Sequence, residues 1–207
     1  MTSFSSLMAG QKLLPIIQAD TVEQGLNIAR AMSLAGIKLV EVVLRTSASI
    51  DVLKAIKDEF PELIVGAGTV ITPTILNEAI EAQADFIVTP TISGKLLDCL
   101  SSCGLPVLPG VSNAADILLA YEYGYRELKL FPASLSGGCP FLSAMSSIFQ
   151  DISFCPTGGI NAKNQHEYLA LNNIFAVGGT WVADKSWVEN ENWLQITKAC
   201  QEALQPA

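Results

Sequence analysis

A single histidine, His166, and five cysteines without a C-x-x-C pair leave this 207-residue chain short of the usual soft ligands for a metal ion. Cys99, Cys103, Cys139, Cys155 and Cys200 are odd in number, so neither a disulfide framework nor a structural zinc is expected, and no metal is assigned. Cys99 and Cys103 stand four apart on an expected helix and read as small apolar side chains rather than a redox pair. His166, in AKNQHEYL, reads as a surface residue because its neighbours offer no partner for catalysis or metal binding.

Positive charge is scarce as well. Twelve Lys and Arg against 20 Asp and Glu give a net charge of -8 with no basic run, which excludes the electrostatic footprint of a nucleic-acid binder. Uninterrupted apolar stretches stay well below the roughly 20 residues that cross a bilayer, so no membrane partner is expected. The opening MTSFSSLMAGQK lacks the basic start and apolar middle of a secretory leader, and a cytoplasmic location is expected. A third glycine is missing after Gly66 and Gly68 in GAGTVIT, so the G-x-G-x-x-G dinucleotide fingerprint fails and no cofactor is assigned.

Apolar residues, by contrast, make up 50% of the chain, enough for a packed core, and residues 1–207 are expected to form a single domain. Short β-rich runs alternate with segments of helical period. Strands are predicted at 13–18, 38–44, 63–68, 85–90, 106–110, 127–131, 153–158 and 174–179. The intervening TVEQGLNIARAMSLAG, ASIDVLKAIKDEF, TPTILNEAIEAQ, SGKLLDCLSSCG and SNAADILLAYEYG read as helices, several opening on a Thr, Ser or Asn able to cap them. ENWLQITKACQEAL reads as a closing amphipathic helix. Eight strands spaced about 20 to 25 residues apart predict an α/β chain of the (β/α)8 TIM-barrel class, with an open doubly wound sheet as the alternative. In a barrel of this class the C-terminal strand ends build the active site.

The strand period of two places Glu41, Val43 and Arg45 of VEVVLRT on one face and Val40, Val42 and Leu44 on the other. The apolar face packs on helices, so a carboxylate and a guanidinium point inward, where an unpaired buried ion costs several kcal/mol. A structural Glu-Arg pair is the bland alternative to an active site. In ELKLFP the same period sends Lys129 and Phe131 inward. A desolvated lysine favours the neutral amine, a nucleophile able to attack a ketone and form an imine, whereas a carboxylate nearby favours the ammonium. A simple pairing of Lys129 with Glu41 is the structural alternative. Two glycine-rich strand ends, PTGGI and VGGTW, follow the seventh and eighth strands, the usual place for a phosphate in such a barrel, with bare N–H groups and a following helix N-terminus to receive it.

VEVVLRT, VGAGTVITP, FIVTP, PVLPGVS, ELKLFPA, FCPTGGI and VGGTW, in this order and spacing from about residue 12 onward, closely resemble the 2-keto-3-deoxy-6-phosphogluconate aldolases, which also act as 4-hydroxy-2-oxoglutarate aldolases. The resemblance implies a metal-independent class I aldolase on a (β/α)8 barrel, assembled as a homotrimer and acting on a small keto acid. It implies Lys129 as the Schiff-base residue and Glu41 as the general acid/base. Arg45, Thr69 and Thr157 would hold the pyruvyl carboxylate, Pro90 and Phe131 would line the site, and Gly158, Gly159, Gly179 and Thr180 would bind phosphate. Thr180 stands where the family often carries serine, adding a methyl group beside the phosphate. The galactonate branch of the family typically ends its first strand in Ile-Leu-Arg-Gly and lacks the arginine of LRT. The first strand here ends Ile17-Gln18-Ala19, and the lack of an arginine at position 18 together with the presence of Arg45 argues against that branch. An aldolase preferring the unphosphorylated substrate and a non-catalytic barrel binding a phosphate ligand are the rival readings.

Overall fold

The computed structural model describes residues 3–205. In chain order it contains α1 Phe4–Leu7, β1 Leu13–Ile17, α2 Val22–Leu34, β2 Leu39–Val43, α3 Ser49–Glu59, β3 Ile64–Gly68, α4 Pro73–Glu81, β4 Ile87–Val88 and α5 Gly94–Ser102. Then come β5 Val107–Leu108, β6 Gly110–Val111, α6 Ala114–Glu122, β7 Glu127–Leu130, α7 Gly138–Ile148, β8 Ser153–Phe154, α8 Gln165–Leu169 and β9 Val177–Gly179. A single 3-10 turn, Trp181–Ala183, leads to α9 Lys185–Glu189 and α10 Trp193–Leu204.

Helix starts follow local chemistry. The side chains of Thr21, Thr72 and Ser93 accept from the backbone N–H three residues on, and Asn113 accepts from Ala115 and Asp116. Each such cap is worth about 1 kcal/mol and satisfies a donor the helix cannot pair itself.

All strand pairings are parallel, in a six-stranded sheet of order β5-β4-β3-β2-β1-β9 and a three-stranded sheet of order β6-β7-β8. The single strand expected over 106–110 is therefore two. Pro109 has no N–H to give to a ladder, and the chain there steps from β4, paired through Ile87 and Val107, to β7, paired through Gly110 and Lys129. The expected last strand is likewise shortened to Val177–Gly179. Before it, Ile174 bridges Phe154, and Gly178 bridges Thr157, so β9 also touches the three-stranded sheet.

Two layers of apolar packing result. The larger lies between strands and helices and contains Val40, Val42, Leu128 and Leu130, the faces that the period of two turns outward. A smaller cluster fills the concave side: Phe4, Met8, Leu14, Leu39, Phe86, Val88, Leu108, Cys155 and Ala176. Burying each large side chain contributes roughly 1.5–3 kcal/mol. Phe4 and Met8 come from the chain's start, which carries no periodic signal. α1 is seated by Glu127, whose carboxylate accepts from the N–H groups of Phe4 and Ser5, and by an edge-on contact of Phe4 with Phe86 at 5.1 Å between centroids. This helix closes the end of the sheet opposite to the strand C-termini.

Two glycines of β3 make the concave side possible. A Cβ at Gly66 would fall 2.0 Å from the Phe86 ring, and one at Gly68 would fall 2.1 Å from Glu41 Oε1. GAG is a space for an aromatic ring below and a carboxylate above.

Candidate active site

Above the apolar floor the strands present ionisable side chains. Glu41 from β2 has no exposed surface and Lys129 from β7 is 4% exposed. Lys129 Nζ donates to Glu41 Oε1 at 3.2 Å and Oε2 at 3.4 Å, and it stands 5.4 Å from the centroid of the Phe131 ring. Two buried opposite charges satisfy one another here at a desolvation cost that a purely structural pair seldom recovers. The carboxylate is also within reach to exchange a proton with the amine. Cys155 lies under the pair. Burial pushes its thiol up to about 12, and the opposing pull of Lys129 does not offset this, so the sulfur stays protonated.

Arg45 stands just beyond the end of β2, exposed at the mouth, and its Nε donates to Thr69 Oγ1 at 3.1 Å. Thr69 follows β3 with φ at +63°, a conformation a β-branched residue adopts only under constraint. The strained backbone aims the hydroxyl at the guanidinium.

The glycine loops meet on the far side. Gly158 and Gly159 have φ of +92° and +80°. Ala133 and Ser134, just past Lys129 on the chain, donate their N–H groups to the carbonyls of Thr157 and Gly158 at 2.7 and 3.1 Å. A side chain at Gly159 would strike Ser134 Oγ at 2.2 Å, and one at Gly179 would strike the Trp181 ring at 2.3 Å. Among the described residues the N–H groups of Gly158 and Gly159 find no acceptor. The helices expected behind these loops are slight: α8 begins only at Gln165 and has five residues, and Thr180 leads into one 3-10 turn. Bare backbone N–H groups, rather than a long helix dipole, are what an anion would meet.

A cavity of about 170 Å3 joins these parts, with Arg45, Lys129, Phe131, Thr157, Gly158, Gly159, Gly179 and Thr180 in its wall. Glu41 lies beneath Lys129, and Thr69 reaches the cavity through Arg45. The carbonyl carbon of Pro90 would lie 2.4 Å from a Cβ at Gly110, the residue in register with Lys129, so the Pro90 backbone packs on the face of the sheet that carries Lys129. The wall also holds Ile16, Gln18, Val43 and Ile160, none of which was singled out as a site residue from the sequence. The period of two that turns Glu41 inward also selects Val43, and applied to β1 it would have found Ile16 and Gln18. No group of three or more His, Cys, Asp or Glu side chains among the described residues is arranged to hold a metal. No helix among them is long and apolar enough to cross a membrane.

The family model for KDPG and KHG aldolases matches residues 4–199, a span that contains the lysine-carboxylate pair, Arg45 and both glycine loops. The chain belongs to the KDPG and KHG aldolase family. It is 37% identical over 206 residues to the KHG/KDPG aldolase of Escherichia coli (strain K12), covering 100% of this chain and 97% of that one. To the 2-dehydro-3-deoxy-phosphogluconate aldolase of Pseudomonas aeruginosa it is 41% identical over 194 residues, 94% of this chain and 88% of that one. The crystal structure of the KDPG aldolase from Legionella pneumophila, with pyruvate captured at low pH as a covalent carbinolamine, superposes with a TM-score of 0.95. That chain is 37% identical, with 99% of each chain covered. As a KDPG and KHG aldolase family member the protein is a carbon-carbon lyase.

Proposed function

We propose that this chain is a class I aldolase that cleaves 2-keto-3-deoxy-6-phosphogluconate to pyruvate and glyceraldehyde 3-phosphate, and 4-hydroxy-2-oxoglutarate to pyruvate and glyoxylate. The observation that carries the reading is the buried Lys129 amine, 3.2 Å from Glu41, at the floor of a cavity that Arg45 and two glycine loops also wall. Names and a bound pyruvate adduct among the relatives support it.

Substrate enters with its carboxylate on Arg45, whose fork matches two oxygens at once, helped by the hydroxyls of Thr69 and Thr157. The phosphate lies on the N–H groups of Gly158, Gly159 and Gly179 and on the hydroxyl of Thr180. Phe131 and Pro90 line the site. Glu41 takes a proton from Lys129, and the neutral Nζ attacks C2 of the ketone to give a carbinolamine. Loss of water, with Glu41 returning a proton to the departing hydroxyl, leaves the protonated imine. Glu41 then removes the C4 hydroxyl proton; the C3–C4 pair flows into the imine, the aldehyde departs and an enamine remains. Protonation at C3 and hydrolysis release pyruvate and free Lys129. The methyl of Thr180 narrows the phosphate end, which favours some turnover of the unphosphorylated substrate.

The same reading closes β1 to β9 into one (β/α)8 barrel, supported by the Phe154–Ile174 and Thr157–Gly178 bridges and the continuity of β5 with β6 through Pro109. It also takes the protein as a cytoplasmic homotrimer. Pyruvate release from each substrate, followed through lactate dehydrogenase and NADH oxidation, tests the activity. Turnover of the 6-phosphate that disappears in Lys129→Ala is the expected result. Absence of turnover of either substrate by folded wild-type protein would leave only a phosphate-binding module.

A further inference from the structure

Five polar side chains face the cavity over Lys129, namely Gln18, Arg45, Lys129, Thr157 and Thr180. The proposed reaction gives a task to every one of them except Gln18. Arg45 and Thr157 hold the carboxylate, Lys129 forms the imine and Thr180 meets the phosphate, so the glutamine is the one polar side chain in this wall left without a partner on the substrate. The substrate has a matching remainder. In 2-keto-3-deoxy-6-phosphogluconate the C2 ketone goes to Lys129 and the C4 hydroxyl to Glu41, which leaves the C5 hydroxyl unserved.

Topology brings the two remainders together. In the six-stranded sheet β1 lies between β2 and β9. Arg45 stands past the end of β2, at the carboxylate end of the cleft, and Thr180 past the end of β9, at the phosphate end. A side chain past the end of β1 therefore faces the middle of a substrate stretched between them. The period of two puts Gln18 on the same face as Ile16, which is in register with Glu41. Gln18 is exposed, and its amide makes no hydrogen bond to another described residue. Its backbone is nonetheless fixed. The carbonyl of Ala19 accepts from Thr46 Oγ1 at 3.1 Å, and the N–H of Asp20 donates to Gln24 Oε1 at 3.1 Å in the first turn of α2. A neutral amide carries both donors and an acceptor, so it binds a hydroxyl without adding charge between two anionic ends.

We infer that Gln18 is a specificity residue that hydrogen-bonds the C5 hydroxyl of the substrate. The inference rests on the aldolase reading above and deepens it. Its test measures kcat/KM by pyruvate release, for wild type and Gln18→Met, on 2-keto-3-deoxy-6-phosphogluconate and on 4-hydroxy-2-oxo-6-phosphohexanoate, the same molecule without the C5 hydroxyl. Methionine keeps the length of glutamine without the amide, and at an exposed position it leaves the core untouched. Wild type is expected to prefer the hydroxylated substrate, and Gln18→Met to reduce that preference about five- to tenfold, as loss of one neutral hydrogen bond would. Comparing the ratio between the two proteins cancels any difference in the intrinsic reactivity of the two substrates. A preference unchanged in Gln18→Met, including a loss shared equally by both substrates, would overturn the assignment of Gln18 and leave the aldolase reading intact. Folded wild-type protein that releases pyruvate from neither substrate would overturn that reading and this inference with it.

Discussion

Replacing Gly68 with alanine moves the proposed acid/base without removing any reacting atom. The φ of Gly68 is not in the left-handed region, so the backbone accepts alanine and the effect comes from the added methyl group alone. That carbon would stand 2.1 Å from Glu41 Oε1 and 2.7 Å from its Cδ and Cγ, against the roughly 3.5–4 Å that non-bonded carbons prefer. Glu41 has no exposed surface into which to swing, so the carboxylate retreats by on the order of 1 Å and its 3.2 Å contact with Lys129 is lost or bent. Overpacking of this kind costs about 1–3 kcal/mol of stability, which is about 2–12 °C in Tm for a domain of this size. A misplacement of about 1 Å costs on the order of 100-fold in rate. The coupled pyruvate assay is therefore expected to show kcat reduced about 100-fold, with circular dichroism still native. Gly94→Ala is the control. It opens α5, where a Cβ meets only Tyr123 Oη at 3.6 Å, and full activity is expected. A Gly68→Ala protein with wild-type kcat and Tm would refute the claim that this glycine sets the position of Glu41.

Arg45→Lys keeps the charge but loses the two-pronged grip and the Nε bond to Thr69, so KM for the keto acid is expected to rise at least tenfold, with a smaller loss in kcat, in steady-state kinetics. Glu127→Ala frees α1 at the opposite end of the sheet. Hydrogen bonds to a charged group are worth about 1.5–3 kcal/mol, so thermal denaturation is expected to show a lower Tm, with kcat retained. Cys155 and Cys200 are both pushed up to about 12 by burial, from an ordinary value near 9. In native protein at pH 8, iodoacetamide is expected to spare both and to reach the half-buried Cys99, Cys103 and Cys139, as peptide mass spectrometry would show. The same shift has a sign for stability. Above pH 9 the unfolded thiols lose protons that the folded ones keep, so stability is intact below that pH and falls toward pH 12, by about 1.4 kcal/mol per pH unit for each cysteine. Urea midpoints that do not fall between pH 8.5 and 10.5 would contradict it.

The inward faces of β2 and β7 were legible because a strand's period of two leaves no other place for one carboxylate in VEVVL and one lysine in ELKLF. The helices α2 to α6 were legible through their caps and apolar spacing. What the sequence hid was non-local. Pro109 could be read as a strand residue until its missing N–H was set against two different neighbours. Phe4 and Met8 carry no period, and only the cavity beneath Phe86 explains their burial. Gly66 and Gly68 look like a failed nucleotide motif, although each is dictated by a side chain more than one element away, Phe86 for one and Glu41 for the other. Thr69 was carried into the site by resemblance alone, since its left-handed backbone has no signature in the residue type. Pro90 enters by the same route, and its backbone packs against Gly110 on the face that carries Lys129.

Incubating the protein with pyruvate and borohydride, then locating added mass by peptide mass spectrometry, captures the proposed imine itself, because reduction turns an imine into a stable amine. One pyruvate-derived adduct is expected, on Lys129, absent without pyruvate and absent in Lys129→Ala. An adduct on another lysine, or none on natively folded protein, would contradict it.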